Sequence, residues 1–334
     1  MPYLRPPLSK ELWFSAHEQI ACKPERLKFT DWHGNEKPLA FETSNFYQNS
    51  GVEMILGCEA IDFDLEKRQV GLSDGQILEF DRLLIATGAQ PKIIDAPIED
   101  SVKTRVSTFR NVSDFVKLYN LLKEKKGQRV VVIGGGFLGS ELAVAVSKLG
   151  NQMGHSVTQV FPEDGHMGLV FPKYLSQWTT EKVSQLGVKV KSGRFVSSIE
   201  GEGDTSTVKL TLDNGEELLA EHVIVAVGVE PSLVKPFKTS LPIDKEFGGL
   251  EADKFLQVAP GIFAAGDVVS YLDPILGCRR RTEHFDHAVL SGKLAGINMV
   301  NSLKSDKELE SYSNQSMFWY KFVFMLNLFL IILF

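Results

Sequence analysis

RVVVIGGGFLGSELAVAVSKLGNQMGHSVTQVF, residues 129–161, is the stretch that decides the fold. Residues 129–133 read as a strand, Arg129 followed by four β-branched apolar residues. GGGFLG (134–139) follows without a spacer. SELAVAVSKLG (140–150) then continues a stripe of Leu138, Leu142, Val146 and Leu149 at helical spacing, with Gly150 near the end. HSVTQVF (155–161) is the next strand. A G-x-G-x-x-G between a strand and a helix is a dinucleotide-binding turn. Gly134 permits the tight turn, Gly136 lets backbone approach a pyrophosphate, and Gly139 lets helix and strand pack closely. The helix start adds unpaired N–H groups and a favourable dipole for the anion.

Glu163 follows the second strand, where a carboxylate can accept hydrogen bonds from adenosine ribose hydroxyls. No Arg or Lys stands between Phe161 and Val170 to receive a 2′-phosphate, which favours NADH over NADPH.

Outward from this unit the chain repeats itself. GVEMILGCEAIDFD (51–64) and VGLSDGQILEFDRLLIATG (70–88) match GVKVKSGRFVSSIE (187–200) and VKLTLDNGEELLAEHVIVAVG (208–228). Each copy reads as a Gly-Val strand start, an alternating strand, a D-G or N-G hairpin turn, and a buried closing strand. The starts lie 136 residues apart and the ends 140 apart, as in two domains of one plan. In the second copy the glycine loop precedes Gly187 by 53 residues, so its counterpart falls before Met1; the only glycine in residues 1–50 is Gly34. The first dinucleotide domain is therefore expected to lack its opening βαβ corner. A chain so truncated is expected not to hold its flavin stoichiometrically.

The chain has 334 residues, 43% of them hydrophobic and 23% charged, which allows two ordinary soluble domains. A net charge of −6 argues against a whole-surface trap for nucleic acid. The run Arg279, Arg280, Arg281 is read as a solvated loop or a phosphate contact. Cys22, Cys58 and Cys278 form no C-x-x-C pair, so neither zinc nor a local disulfide is signalled. The start, MPYLRPPLSKELWF, has no signal-peptide h-region. IFAAGDVV (262–269) is a strand that delivers Asp267 to a helix start, for a flavin ribityl hydroxyl or as a helix N-cap. Glu283, His284, Asp286 and His287 crowd one segment and read as a polar cofactor wall rather than a metal site. His17, His33 and His166 read as surface histidines. Residues 302–314 read as a polar linker. The apolar run 322–334 is shorter than the roughly 20 residues of a membrane span. It suits a marginal tail anchor, an interfacial segment or translated non-coding sequence, and the abrupt change of composition favours the last.

RPPLSKELWF (5–14), LLIATGAQP (83–91), VVVIGGGFLGSELA (130–143), FPEDGHMG (161–168), AVGVEP (226–231), AAGDV (264–268), RRRTEHFDHAV (279–289) and QSMFW (315–319) resemble the apoptosis-inducing factor family of mitochondrial flavoproteins. The resemblance implies an α/β fold of two Rossmann-like, glutathione-reductase-like dinucleotide-binding domains, the first incomplete. FAD-binding residues would occupy 1–88 and 230–309, an NADH domain 89–229, and a stub of a C-terminal domain with an atypical tail 310–334. It implies FAD contacts at Arg5, Lys10, Ala60, Arg110, Asp267, His284 and Trp319. It implies NADH contacts at Trp32, Gly135, Gly136, Phe137, Leu138, Glu163, Gly228, Glu283 and His284, with Trp319 shared. Lys10 and Glu141 would pair beside the reactive flavin edge, where a cation stabilises the reduced ring.

Leu169 stands where the family pattern has a nicotinamide-contacting lysine, and Phe285 replaces a second histidine. Hydride transfer from NADH to FAD is the implied activity, with an electron acceptor as partner. A homodimer, an intermembrane-space import factor, nucleic acid, and mitochondrial maintenance and cell-death roles follow from the family alone. The alternatives are a ferredoxin- or rubredoxin-type reductase and a redox-sensing interaction protein with incidental turnover.

Overall fold

The computed structural model describes residues 2–15, 23–31, 33–203, 206–234, 237, 240–315, 320–322 and 325–328. Packing divides the chain into two compact units. One comprises Met1–Val52, Pro91–Gly228 and Phe322–Leu326; the other comprises Glu53–Gln90, Val229–Lys321 and Asn327–Phe334. Residues 1–52, which the sequence reading groups with the flavin half, thus lie in the same unit as the glycine loop.

The first unit is built on a five-stranded sheet ordered Val188–Ser192, Ser156–Phe161, Arg129–Ile133, His222–Val225, Val106–Thr108. All four pairings are parallel. Parallel strands are covered on both faces, which is why the central strand is apolar at four successive positions, Val130 to Ile133, all buried. The helix Phe137–Met153 leaves the end of that strand and stops at Gly154, whose φ of 75° is the left-handed conformation of a helix C-cap. Helix Val112–Glu124 begins in a capping box, with Asn111 accepting from the Asp114 N–H and Asp114 accepting in return. Its Phe115 and Tyr119 receive Trp13, edge-on at 5.3 Å and tilted at 5.9 Å. Trp13 also donates to the Leu8 carbonyl at 2.8 Å, which fixes the 3₁₀ turns Pro6–Ser9 and Glu11–Phe14 on either side of Lys10.

The second unit contains Leu83–Ile85 parallel to Ile262–Ala264, and Leu250–Ala252 parallel to Val269–Asp273. Phe63, Ile85, Leu250, Ile262, Phe263, Val268 and Tyr271 form its core, and helix Phe285–Asn301 contributes Ala295.

The internal repeat is visible in both units. Ala60–Asp64, Gln69–Leu72 and Ile77–Glu79 form an antiparallel sheet; so do Val196–Glu202, Thr207–Leu212 and Glu217–Ala220. Gly75 and Gly215 take φ of 88° and 81° at the turns, and Asp74 and Asn214 each accept an N–H two residues on, at 3.1 Å. The copies differ at their starts. Val188–Ser192 is a strand because Ser156–Phe161 pairs with it. Its counterpart, residues 52–56, is not a strand, and among the described residues it has no such neighbour; Val52, Ile55 and Leu56 are exposed. The expected strand start after Gly51 is therefore corrected.

The apolar strand of IFAAGDVV ends before Gly266-Asp267, as its sequence suggests. The segment comprises strand Ile262–Ala264, a 3₁₀ turn Gly266–Val268 and the start of strand Val269–Asp273. Asp267 lies in that turn and not at an α-helix N-cap. The described part of the tail, Tyr320–Phe322 and Met325–Leu328, is extended, and no helix among the described residues is long and apolar enough to cross a membrane.

Candidate functional site

Gly134 has φ of +120°, and a Cβ there would lie 2.2 Å from the Ala226 carbonyl oxygen. A Cβ on Gly139 would lie 2.3 Å from the Gly134 oxygen. The turn is thus pressed between the AVGVEP segment and its own helix, and only hydrogen fits on these two α-carbons. Gly136 differs. It is exposed, a Cβ there would meet nothing within 4 Å, and it is the N-cap of Phe137–Met153 with no side-chain cap among the described residues. An open approach to the uncapped start of a 17-residue helix is the geometry that accepts a pyrophosphate. Phe137 and Leu138 are half-buried in the helix's first turn, and Gly228 is exposed within AVGVEP with φ of +105°.

Glu163 is half-buried in the loop after Ser156–Phe161, and its carbonyl accepts the Gly193 N–H at 2.9 Å. That loop touches the turn directly, since the Met167 N–H donates to the Gly135 carbonyl at 2.8 Å. The sequence window missed Arg194, whose backbone N–H donates to Phe161 at 3.0 Å. Its guanidinium turns to the Gly193 carbonyl at 2.9 Å and to Asp213 at 3.9 Å. Leu169, in the place of the family's lysine, is 87% exposed.

In the same unit the Lys10 ammonium lies 3.0 Å from one Glu141 oxygen, and the Ser9 hydroxyl donates to the other at 2.5 Å. Glu141 is one helical turn beyond the start of the glycine-loop helix, and its side chain is 8% exposed. Burial raises its carboxyl above the usual range, against the opposing pull of Lys10 and Ser9. Burial alone would lower Lys10; the charge and hydrogen bond of Glu141 outweigh it and raise the ammonium instead. Burial raises the Tyr3 hydroxyl above its ordinary range, against the opposing charges of Arg5 and Arg110.

The second unit holds Ala60, Asp267, Glu283 and His284. Ala60 opens a strand. Asp267 is 3% exposed, and its turn is held by the Gly266 N–H donating to Ser291 Oγ at 3.0 Å. His284 is the N-cap residue of Phe285–Asn301, and exposed Glu283 pairs with Arg281 at 2.6 Å. His287 is fully buried, stacked on Tyr271 at 5.1 Å, with Nδ1 2.8 Å from the Tyr312 hydroxyl, and the charges of Asp267 and His284 act on it. Among the described residues no three His, Cys, Asp or Glu side chains could hold a metal ion. Trp32 and Trp319 lie outside the described residues.

Two readings need correction. The arginine run is not a solvated loop: its three residues are half-buried, and Arg279 and Arg280 lie in strand Cys278–Arg280. Arg279 bonds to the Ala252 and Ser270 carbonyls and pairs with Glu251, Arg280 pairs with Asp273 at 2.8 Å, and Arg281 pairs with Glu283. His166 is not on the surface but fully buried.

The turn, the helix behind it and the parallel sheet define a nucleotide-binding α/β oxidoreductase scaffold. The sequence matches the pyridine nucleotide-disulphide oxidoreductase family over residues 1–292, and the chain belongs to that family of FAD- and NAD(P)H-dependent enzymes. It is 37% identical over 320 residues to apoptosis-inducing factor 1, mitochondrial, of Dictyostelium discoideum, covering 96% of this chain and 58% of that protein. It is 38% identical over 333 residues to a putative apoptosis-inducing factor 1, mitochondrial, of Drosophila melanogaster, covering 95% of this chain and 43% of that protein. The chain thus spans about half the length of these relatives. Among solved structures it is similar to a ferredoxin reductase from Rhodopseudomonas palustris, with a TM-score of 0.79 and 26% identity over 96% of this chain and 70% of that one.

Proposed function

We propose that this chain carries an NADH-binding unit and FAD-binding residues of an oxidoreductase that passes hydride from NADH to flavin. The observation that carries the reading is the open, uncapped helix start at Gly136, beside the loop of Glu163. The residues fit the nucleotide: backbone N–H groups at Gly136–Leu138 meet the pyrophosphate, and Glu163 accepts from the adenosine ribose. In the second unit the buried Asp267 carboxylate suits a flavin's ribityl hydroxyls; in the first, Lys10 is a cation of the kind that stabilises a reduced flavin ring.

Bound flavin supplies the hydride acceptor and hands electrons on. The chain's part is to hold Lys10 protonated through Glu141, and Glu141 in place through Ser9. The mitochondrial naming of both relatives supports a mitochondrial location. A dimer, an import-factor partner, nucleic-acid binding and a role in cell death are further readings from the same likeness. A ferredoxin-type reductase is the second reading, supported by the structural similarity. Turnover with ferredoxin compared with slow oxidase turnover separates the two.

The test of the nucleotide site is direct. NADH should bind the whole chain at least about tenfold more tightly than NADPH, and Glu163→Arg should reverse that order. Equal affinity for both nucleotides in the unsubstituted protein defeats the assignment of Glu163.

A further inference from the structure

Gln159 and His166 are polar, fully buried, and unexplained by the glycine motif. Gln159 sits in the parallel strand Ser156–Phe161, where burial on both faces favours apolar residues. Its Nε2 donates to the Gly134 carbonyl at 2.8 Å. That fixes the amide orientation, since the other orientation would set two carbonyl oxygens against each other. Oε1 must then face His166 Nε2, 2.9 Å away, and accept from it. His166 is therefore the neutral Nε2–H tautomer, and its Nδ1 competes with the Ser176 carbonyl, 2.9 Å from the same oxygen, for the Thr180 hydroxyl proton at 3.0 Å. Burial pushes its pKa down to about 4, in keeping with a neutral ring. The Thr180 oxygen also accepts the backbone N–H of His166 at 2.9 Å.

The same few residues clamp the turn from beneath. The His166 ring meets Phe161 edge-on at 4.6 Å, and Phe161 lies so close under Gly135 that a Cβ there would fall 2.5 Å from its ring. Met167 N–H holds the Gly135 carbonyl, and Ser140 Oγ holds that of Gly136 at 2.8 Å. Gly168 folds back until a Cβ on it would be 2.9 Å from the Glu163 Cβ. The loop 163–168 is thus tied to the turn at two points, Gly134 through Gln159 and Gly135 through Met167.

We propose that Gln159 and His166 are positioning residues that lock the loop of Glu163 to the turn Gly134–Gly136, and so set the discrimination of NADH from NADPH. This rests on the nucleotide reading above. A carboxylate rejects a 2′-phosphate only if its distance from the pyrophosphate site is fixed, and this relay is the strut that fixes it. Neither residue touches the nucleotide.

The experiment uses the whole chain with Gln159→Leu, His166→Phe and the conservative His166→Gln. Dissociation constants for NADH and NADPH are measured for each, with thermal unfolding as the check on folding. Gln159→Leu and His166→Phe should each narrow the NADH/NADPH affinity ratio about tenfold, while His166→Gln, which can still donate to Gln159, should keep it within about twofold. Nitrogen-15 NMR of the imidazole, without any nucleotide, should show His166 as the Nε2–H tautomer. If both affinities fall in parallel at constant ratio, the residues only stabilise the unit and the inference is overturned. An Nδ1–H tautomer also overturns it, and if His166→Phe does not fold, this measurement and Gln159→Leu decide. Absence of NADH binding to the unsubstituted chain would remove the nucleotide reading itself, and the inference with it.

Discussion

Lys10 keeps its proton because Glu141 lies 3.0 Å away, and Glu141 keeps its place because Ser9 donates to its second oxygen. Removing the cation with Lys10→Ala should lower the midpoint potential of bound flavin by about 30 mV or more, since about 1.4 kcal/mol on a two-electron couple is about 30 mV. Potentiometry on the flavin-loaded protein reads this, and an unchanged potential would make Lys10 a structural ion-pair partner only. Three buried histidines give a second prediction. Burial lowers His166, His222 and His287 each to about 4, from an ordinary 6.5, with Arg105 adding to the effect at His222. Between those values the unfolded chain binds more protons, so stability rises with pH there; the contribution is present above 6.5 and is lost as pH falls through about 4. Denaturation midpoints should therefore fall steadily from pH 7 to pH 5, by up to about 1.4 kcal/mol per pH unit for each histidine that unfolds in the same step. His166→Gln should flatten the slope, and a midpoint independent of pH would mean that these rings are not buried neutral.

The glycine turn was legible because its requirements are local: three glycines, a strand and a helix within one short segment. Gly139 shows how strict they are, since a Cβ 2.3 Å from the Gly134 oxygen cannot be relieved without moving backbone. Gly139→Ala should abolish nucleotide binding and lower stability by roughly 1–3 kcal/mol. Gly136→Ala, in open space, should cost the fold little. Equal stability losses for the two would contradict the described packing. The hairpins were legible for the same reason, through Asp74-Gly75 and Asn214-Gly215. What sequence did not show depends on partners far along the chain or on which neighbour pairs. Residues 52–56 carry the pattern of 188–192 but, among the described residues, not the parallel neighbour that makes a strand. The arginine run looked basic until Glu251, Asp273 and Glu283 were placed against it. His166 looked superficial because nothing in FPEDGHMG announces that its ring turns inward to Gln159.

At the scale of the molecule, the repeat produces one antiparallel sheet per unit, but the grouping of residues is less simple than the repeat. Met1–Val52 belongs with Pro91–Gly228 because Leu8, Leu12 and Trp13 are buried there, Trp13 against helix Val112–Glu124. Trp13→Ala should cost roughly 3–5 kcal/mol in the unfolding of that unit, as loss of a buried aromatic does. A loss below about 1 kcal/mol would mean that the segment is not part of its core. Lys10 rides on the same segment, so the substitution should also loosen the pair with Glu141. The central claim is that the helix start at Gly136 receives the NADH pyrophosphate. Its most direct test is an NADH titration of the whole chain, followed through the backbone amide resonances of Gly135, Gly136, Phe137 and Leu138. They should shift saturably and together, while the amides of Lys28–Thr30 stay still. Saturable binding that leaves the Gly135–Leu138 amides unmoved would contradict the account.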